Sequence, residues 1–256
     1  MVTPVMAKVR PGDASGLRGV LRVASRLVGR GATRVGDGGM RLAEVVVIAV
    51  STGGPAALEV MLPMLPVDFA VPLLIVQHMP KIYTEPLAER LGRLCRMPVR
   101  AARGGEPLRA GIVWLAPGDE HMEISAGRGA RPNTIRLHRG PALNSCRPSA
   151  DYLFRSAARV YGNGTLAVVM TGMGADGVEG SRAVREAGGT VLAQDKASSA
   201  VWGMPGRVVQ GGIANAVVPL QGLAEALVRR VGRLSGSGAG ALQRGEGTPG
   251  VRGGLL

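Results

Sequence analysis

The sequence predicts an α/β domain built on a doubly wound, mainly parallel sheet with helices on both faces and a short antiparallel excursion. Short apolar runs rich in β-branched residues alternate along the chain with segments whose apolar residues follow helical spacing. Such alternation is typical of a parallel sheet that is covered on both faces. The apolar run at residues 45–50 is far shorter than the ~20 residues of a membrane-spanning helix, and no other stretch comes closer.

The first half of the domain is predicted to contain two strands, each followed by a helix. The β-branched run at 45–50 precedes a helical pattern over 56–65, and a second apolar run at 72–77 precedes a helix over 84–96. Residues 112–138 then form a less regular stretch, interrupted by Pro-Gly-Asp and Gly-Arg-Gly turns. We expect antiparallel strands there, at 112–116, 122–125 and 134–138.

The second half returns to the alternating pattern. The spacing predicts a helix near 152–161, a strand at 165–170, a helix over 177–187, a strand at 190–194 and a final helix over 220–231. We therefore place the folded domain at residues 42–231.

The formal net charge of +13 is concentrated near the two ends. Residues 1–41 contain eight basic and two acidic residues, and residues 229–256 contain five and one. We expect a flexible, basic, Gly-rich extension at 1–41, with a short amphipathic helix at 15–28 as an alternative, and a disordered tail at 232–256. Such ends could bind polyanions non-specifically, but they do not indicate a specific nucleic-acid partner.

The two cysteines, Cys95 and Cys146, lack CxxC spacing and cannot form a disulfide framework. A reducing, cytoplasmic location therefore fits best. Cys146 has two interpretations: it is a thiol nucleophile if a histidine approaches it, and otherwise a small, half-buried residue, which is the interpretation we favour.

Polar residues follow three of the predicted strands, at the edge where ligands bind in open parallel sheets. They are Ser51, His78 and the glycine-rich turn that contains Asp176. A serine needs an imidazole to take its proton, and the imidazole needs a carboxylate to orient it, so the set suits acyl transfer. Asp151 and Asp195 are alternative partners for His78.

Each residue also has a purely structural interpretation. Ser51 and Thr52 could cap the following helix, and His78 could be structural. The turn at 172–177 lacks both dinucleotide and P-loop spacing, which argues against nucleotide binding. Ser51 does not lie in a Gly-x-Ser-x-Gly elbow either, which excludes the α/β-hydrolase assignment.

A metal site is not expected. Asp119, His121 and Glu123 could share one face of a strand, but the chain has three histidines and no His-Glu-x-x-His spacing. We expect neither a metal nor a cofactor.

Six ordered motifs resemble the catalytic domain of the chemotaxis protein-glutamate methylesterases, the CheB family, from about residue 45 to 231. They are VIAVSTGGP (47–55), QHMP (77–80), APGDEHM (116–122), RPSAD (147–151), TGMGADG (171–177) and GMP (203–205). The resemblance implies a serine hydrolase that cleaves glutamyl methyl esters on the cytoplasmic helices of chemoreceptors and releases methanol. A related activity, deamidation of receptor glutamines, is also implied.

Matched motif by motif, Ser51 corresponds to the family's nucleophile, His78 to its general base and Asp176 to the residue that orients the histidine. The resemblance also implies that the Met173 N–H helps to bind the oxyanion. Thr52 and Gly53 beside the nucleophile, together with Arg147, are further expected contacts to substrate, although Arg147 could instead pair with Asp151.

Two departures from the family pattern affect these expectations. Family members usually carry an N-terminal receiver domain, and forty basic, Gly-rich residues are too few to form one. We therefore expect control to be absent or to come from a separate response regulator or another signalling partner. In addition, Ala49 and Val50 replace the Gly and Ala expected before the nucleophile. The competing hypothesis is a methylesterase-like module that docks on signalling proteins and has lost its chemistry.

Overall fold

The structure, a computed structural model, describes residues 42–231; the predicted extension at 1–41 and the tail at 232–256 lie outside the described residues. The strands of the described region are β1 (Val45–Val50), β2 (Leu73–Gln77), β3 (Val99–Ala101), β4 (Val113–Leu115), β5 (His121–Ser125), β6 (Thr134–His138), β7 (Thr165–Val169), β8 (Thr190–Gln194) and β9 (Ala216–Val218). Seven of them form one sheet in the order β3-β4-β2-β1-β7-β8-β9, and all neighbouring strands in it are parallel.

Helices cover both faces of this sheet. They are α1 (Gly54–Met61), α2 (Thr84–Leu94), α3 (Ala150–Tyr161), α4 (Val178–Glu186), α5 (Met204–Gln210) and α6 (Leu220–Val231). Three short 3₁₀ turns, at Leu62–Met64, Lys81–Tyr83 and Gly162–Gly164, lie between these elements.

Strand β1 shows why the sequences of the predicted strands are continuous apolar runs. Its even-numbered residues pack into one core with α1, α2 and α6, whereas its odd-numbered residues pack into a second core with α3, α4 and α5. Every residue of β1 is buried. A strand buried on both faces has no polar side to alternate with, so the doubly wound prediction is confirmed.

The antiparallel excursion is confirmed for two of its three predicted strands. β5 and β6 pair in antiparallel register and pack against α3 through Met122, Ile124 and Ile135. The prediction for 112–116 is wrong, because β4 pairs in parallel with β2 and β3 in the main sheet. The apolar run is typical of an inner strand, and β4 indeed lies between β3 and β2. The turns that follow it led to its assignment to the antiparallel strands.

Three elements were not predicted. The edge strands β3 and β9 have three residues each, too few to show a period. Helix α5 has seven residues and begins Met-Pro-Gly, a sequence that indicates a turn more strongly than a helix. No helix in residues 42–231 is long and apolar enough to cross a membrane.

The register of the central strands places their carboxyl ends side by side. Val50 pairs with Gln77 across β1 and β2, and Ala49 pairs with Val169 across β1 and β7. The residues that follow these strands, including Ser51, His78 and Thr171, therefore emerge at one edge of the sheet.

Candidate active site

Ser51 lies in a tight turn between β1 and α1. Its N–H donates to Thr171 O at 3.0 Å, which ties the turn to the end of β7. Gly53 adopts a left-handed conformation with φ of 80°, and a Cβ there would lie 2.6 Å from Ala200 Cβ. The backbone therefore needs glycine to make this turn.

The capping interpretation of Ser51 and Thr52 does not match this turn. Helix α1 begins at Gly54 with Gly53 as its cap, and no side chain caps it. The hydroxyl of Ser51 is consequently not used to start the helix.

Gln77, the last residue of β2, fixes the backbone of both neighbouring turns. Its Nε2 donates to Ser51 O at 3.1 Å and to His78 O at 3.0 Å. The His78 N–H in turn donates to Val50 O at 3.1 Å. These bonds hold the Ser51 and His78 backbones at a fixed separation.

His78 and Asp176 form a close pair, although 98 positions separate them in sequence. His78 Nε2 lies 2.7 Å from Asp176 Oδ2, with 14% of the histidine side chain exposed and 1% of the aspartate. The other two candidate partners bind elsewhere: Asp151 accepts the Gly180 N–H at 2.6 Å, and Asp195 accepts the Ser198 N–H at 3.0 Å.

The carboxylate of Asp176 rests on the N-terminus of helix α3. Its Oδ1 accepts a hydrogen bond from the Ser149 hydroxyl, and its Oδ2 accepts one from the Ala150 N–H at 2.7 Å. The Asp151 N–H lies 3.3 Å from Oδ1. The positive end of a 12-residue helix therefore stabilises this buried negative charge.

Charge and hydrogen bonding shift the pKa of each member of the pair in the direction that favours the ion pair. Burial alone would raise the pKa of Asp176, but hydrogen bonds from His78, Ser149 and Ala150 outweigh burial and lower it. Burial alone would lower the pKa of His78. Hydrogen bonds with Asp176 and Cys146, together with the negative charge of Asp176, raise it instead, to about 9.

An open cavity of about 490 Å³ lies beside this pair and contains both Ser51 and His78 in its wall. Thr52 and Gly53 line the same cavity. The remaining wall is mainly apolar and is formed by Pro55, Gln77, Met79, Tyr83, Pro86, Leu87 and Arg90. The arrangement places a hydroxyl, an imidazole and an apolar surface around one space, which suits attack on a small ester.

The free nitrogen of His78 faces a thiol. Since Nε2 binds Asp176, Nδ1 remains to accept a proton, and Cys146 Sγ lies 3.7 Å from it. Among the hydrogen bonds of the described residues, none joins the Ser51 hydroxyl to His78. Bonds of this kind are often long in enzymes without substrate and shorten when it binds.

The other expected contact residues, Met173 and Arg147, are not among the residues that line the cavity. Gly172 packs directly on the nucleophile candidate, because a Cβ there would lie 2.8 Å from Ser51 Cβ. Met173 follows it and is 74% exposed. Arg147 is exposed, its Nη1 lies 3.4 Å from Gly140 O, and it is not among the residues that line the cavity.

One group of donor atoms could hold a metal ion. Single donor atoms of His78, Cys146 and Asp176 lie within 4.8 Å of one another. However, Oδ2 of Asp176 already binds His78 Nε2 and the Ala150 N–H. Of the metal ligands considered from the sequence, Asp119, His121 and Glu123, His121 already uses both ring nitrogens. They bind two backbone groups, Pro141 O and the Ser149 N–H.

Two residues of this site were not predicted from the sequence, and a third was expected to lie away from a histidine. Gln77 and Ser149 were not singled out, although both stand inside motifs that were quoted. Cys146 is half-buried, as expected, but a histidine also approaches it, which was the less favoured interpretation. A signal existed for Ser149, because a serine before an Ala-Asp pair at a helix start indicates a cap.

Comparison with known proteins gives a consistent result. The family model described as CheB methylesterase matches residues 46–227. A protein-glutamate methylesterase/protein-glutamine glutaminase from Trichodesmium erythraeum is 48% identical over 190 residues, which cover 74% of this chain and 53% of the relative. A second protein of that name from Caulobacter vibrioides is 49% identical over 177 residues, which cover 69% and 51%.

The solved structures agree. The crystal structure of the Thermotoga maritima CheB methylesterase catalytic domain matches with a TM-score of 0.71 and 40% identity, covering 73% of this chain and 98% of that one. The chain thus spans about half the length of the curated relatives it matches.

Proposed function

The chain belongs to the CheB methylesterase family, and we propose that it is a protein-glutamate methylesterase. The proposed reaction is hydrolysis of glutamyl methyl esters on chemoreceptor cytoplasmic helices to glutamate and methanol, with deamidation of receptor glutamines as a second activity. The observation that carries the proposal is the His78 Nε2 to Asp176 Oδ2 contact of 2.7 Å beside a cavity that Ser51 also lines.

In the proposed mechanism Ser51 is the nucleophile. His78 Nδ1 takes the Ser51 proton while the hydroxyl oxygen attacks the ester carbonyl, and the same nitrogen then gives the proton to the departing methanol. Water attacks the acyl-enzyme in a second round with the same base. Asp176 holds the proton on Nε2 and stabilises the imidazolium that forms. No cofactor enters these steps.

The developing oxyanion needs donors near Ser51. We assign this role to the Met173 N–H and to the turn at Thr52 and Gly53, which leads into the N-terminus of α1. Two features support the assignment. Gly172 packs against Ser51, and Thr171 Oγ1 lies 2.9 Å from Thr52 O, which joins the two turns. To contact an acidic substrate, the Arg147 side chain would have to break its hydrogen bond to Gly140 O.

The proposed partners follow from the same assignment. They are the methylated cytoplasmic domains of chemoreceptors and a separate response regulator or other signalling protein that controls the activity. We propose a cytoplasmic location, since the substrate helices lie there.

The proposal is tested by methanol release from a methylated receptor cytoplasmic fragment. Ser51→Ala and His78→Ala are each expected to lower turnover by roughly 10⁴–10⁶-fold with the fold intact. Ser125→Ala is the matched control, because Ser125 is exposed at the end of β5 and does not line this cavity. Folded wild-type protein that hydrolyses neither this substrate nor a simple ester would instead support the docking module.

A further inference from the structure

Cys146 and His78 form a thiol–imidazole pair that the proposed hydrolysis does not use. Cys146 Sγ lies 3.7 Å from Nδ1, the nitrogen to which the mechanism assigns the Ser51 proton. Asp176 occupies the opposite nitrogen. An imidazole in this position can take the thiol proton, and the thiolate is the reactive form of cysteine.

The backbone around Cys146 holds the sulfur in this position. Leu143 and Cys146 exchange two backbone hydrogen bonds, of 2.8 and 3.3 Å, around a tight turn. Asn144 and Ser145, at the tip of the turn, both have positive φ, of 50° and 60°. Cys146 Sγ also lies 3.3 Å from Asn144 O. The turn therefore presents the sulfur to His78 and not to the core.

Cys146 lies in an exposed part of the chain, so we expect small reagents to reach its sulfur. Cys146 is only partly buried, and the neighbouring residues Asn144, Ser145 and Arg147 are exposed. The exposed guanidinium of Arg147 next to it also favours approach of anionic reagents.

The second cysteine provides an internal comparison. Cys95 follows helix α2 and is also partly buried. Burial raises the pKa of its thiol to about 11, so that only about 0.1% of it is thiolate near pH 8. The two cysteines of this chain thus differ in environment and not simply in exposure.

We propose that Cys146 is a modification site for small disulfides and that the mixed disulfide switches the neighbouring hydrolytic site off. His78 takes the thiol proton, and the thiolate sulfur attacks one sulfur of the reagent. A new S–S bond forms as the reagent's own S–S bond breaks, and its other half leaves as a thiolate. The adduct covers Nδ1, so His78 can no longer accept the Ser51 proton. This effect on turnover rests on the proposed function, whereas the reactivity of Cys146 does not.

Reactivity is tested on the reduced full-length chain with the aromatic disulfide DTNB, followed by oxidised glutathione, with mass spectrometry to locate the adduct. We expect Cys146 to react at least about tenfold faster than Cys95 near pH 8. His78→Ala is expected to slow labelling of Cys146 by about tenfold, while Ser51→Ala leaves it unchanged. Equal rates for the two cysteines, or no effect of His78→Ala, would overturn the proposal.

The effect on turnover is tested with matched cysteine variants. Cys95→Ser should lose methanol release in step with labelling of Cys146 and regain it with dithiothreitol, whereas Cys146→Ser should continue to turn over in the presence of the reagent. A labelled chain that remains fully active contradicts the proposal. So does an inactive Cys146→Ser beside an active Ser51→Ala, since the thiol would then be the nucleophile. A wild-type chain that releases no methanol counts against the proposed function, and the labelling rates still decide the reactivity of Cys146.

Discussion

The Ser149 hydroxyl donates a hydrogen bond to Oδ1 of Asp176, so the residue that caps helix α3 also holds the carboxylate that faces His78. The same Oγ accepts the Asp151 N–H at 3.2 Å. The start of the helix and the Asp176 carboxylate that orients His78 thus belong to one hydrogen-bonded unit. A change in this serine should therefore affect both stability and the pKa of the pair.

Replacing Ser149 with alanine removes the cap and one hydrogen bond to a buried charge. We expect the free energy of unfolding to fall by about 1–3 kcal/mol. We also expect the pKa of Asp176 to rise towards its usual value, with a lower kcat and little change in KM. Urea unfolding and the pH dependence of kcat measure the two effects. Ser149→Thr keeps the hydroxyl and should restore both; an alanine variant with wild-type stability and pH profile would contradict this role.

The pKa of His78 predicts that activity rises with pH. Burial lowers this pKa, but Asp176 and Cys146 more than compensate and raise it to about 9. Because a general base must be neutral, kcat/KM for an ester substrate should increase with pH and level off above about 9. Cys146→Ser removes one of the raising groups and should shift the profile to lower pH. A profile that is already level near pH 7 would contradict the assignment.

The same pKa affects stability in the opposite direction. The folded-state pKa of His78 lies above the usual 6.5, so its stabilising contribution is fully present below about 6.5 and is lost as pH rises through about 9. Urea unfolding over this range should show the loss in the wild type. In His78→Gln, the loss of stability over this pH range should be smaller.

The central strands of the fold could be predicted because they are long and buried on both faces. β1 and β2 carry continuous apolar runs, and the motifs that follow them specify which residues emerge at the sheet edge. β4 could not be assigned to the main sheet, since its three residues show no period and its partners, β2 and β3, are fixed only by tertiary packing.

Part of the site could also be predicted from the sequence, and part could not. Ser51, His78 and Asp176 could be picked from the sequence because each follows a strand in a recognisable turn. The contact of His78 with Cys146 could not, because Cys146 lies outside the quoted motifs and a turn with two positive-φ residues sets the sulfur position. The role of Gln77 was equally hidden, since it depends on two backbone oxygens and not on a motif partner.

Gly54→Ala should disturb the site through Gln77. A Cβ at Gly54 would overlap Gln77 Oε1 and lie 2.6 Å from Val50 Cγ2, so the Gln77 side chain must move. That movement breaks its bonds to Ser51 O and His78 O. We expect a loss of stability of about 1–3 kcal/mol and a clear fall in kcat, measured by urea unfolding and methanol release.

Gly92→Ala is the matched control for this substitution. Gly92 lies in α2, and a Cβ there would meet only Val99 O, at 3.8 Å. Alanine should therefore stabilise the helix by about 0.5–1 kcal/mol without affecting turnover. If both alanine variants behave alike, Gln77 does not hold the two turns in place.

His121 should make the protein sensitive to mild acid. Its Nδ1 accepts the Ser149 N–H at 3.1 Å, so this nitrogen carries no proton, while Nε2 donates to Pro141 O at 3.1 Å. Burial lowers the pKa of His121, and the nearby positive charges of His138 and Arg147 act in the same direction. Protonation would turn Nδ1 into a donor facing the Ser149 N–H and loosen the residue that holds Asp176.

The sign of this effect follows from linkage. Because the folded-state pKa lies below the usual 6.5, the contribution of neutral His121 is present above about 6.5 and is lost as pH falls through the lowered value. Asp176 loses its contribution only in stronger acid, since its own pKa lies below 3.8. Urea unfolding between about pH 7 and pH 4 should show the first loss in the wild type and in His138→Gln, but not in His121→Gln. Nitrogen chemical shifts that place the His121 proton on Nδ1 would contradict the tautomer on which the prediction depends.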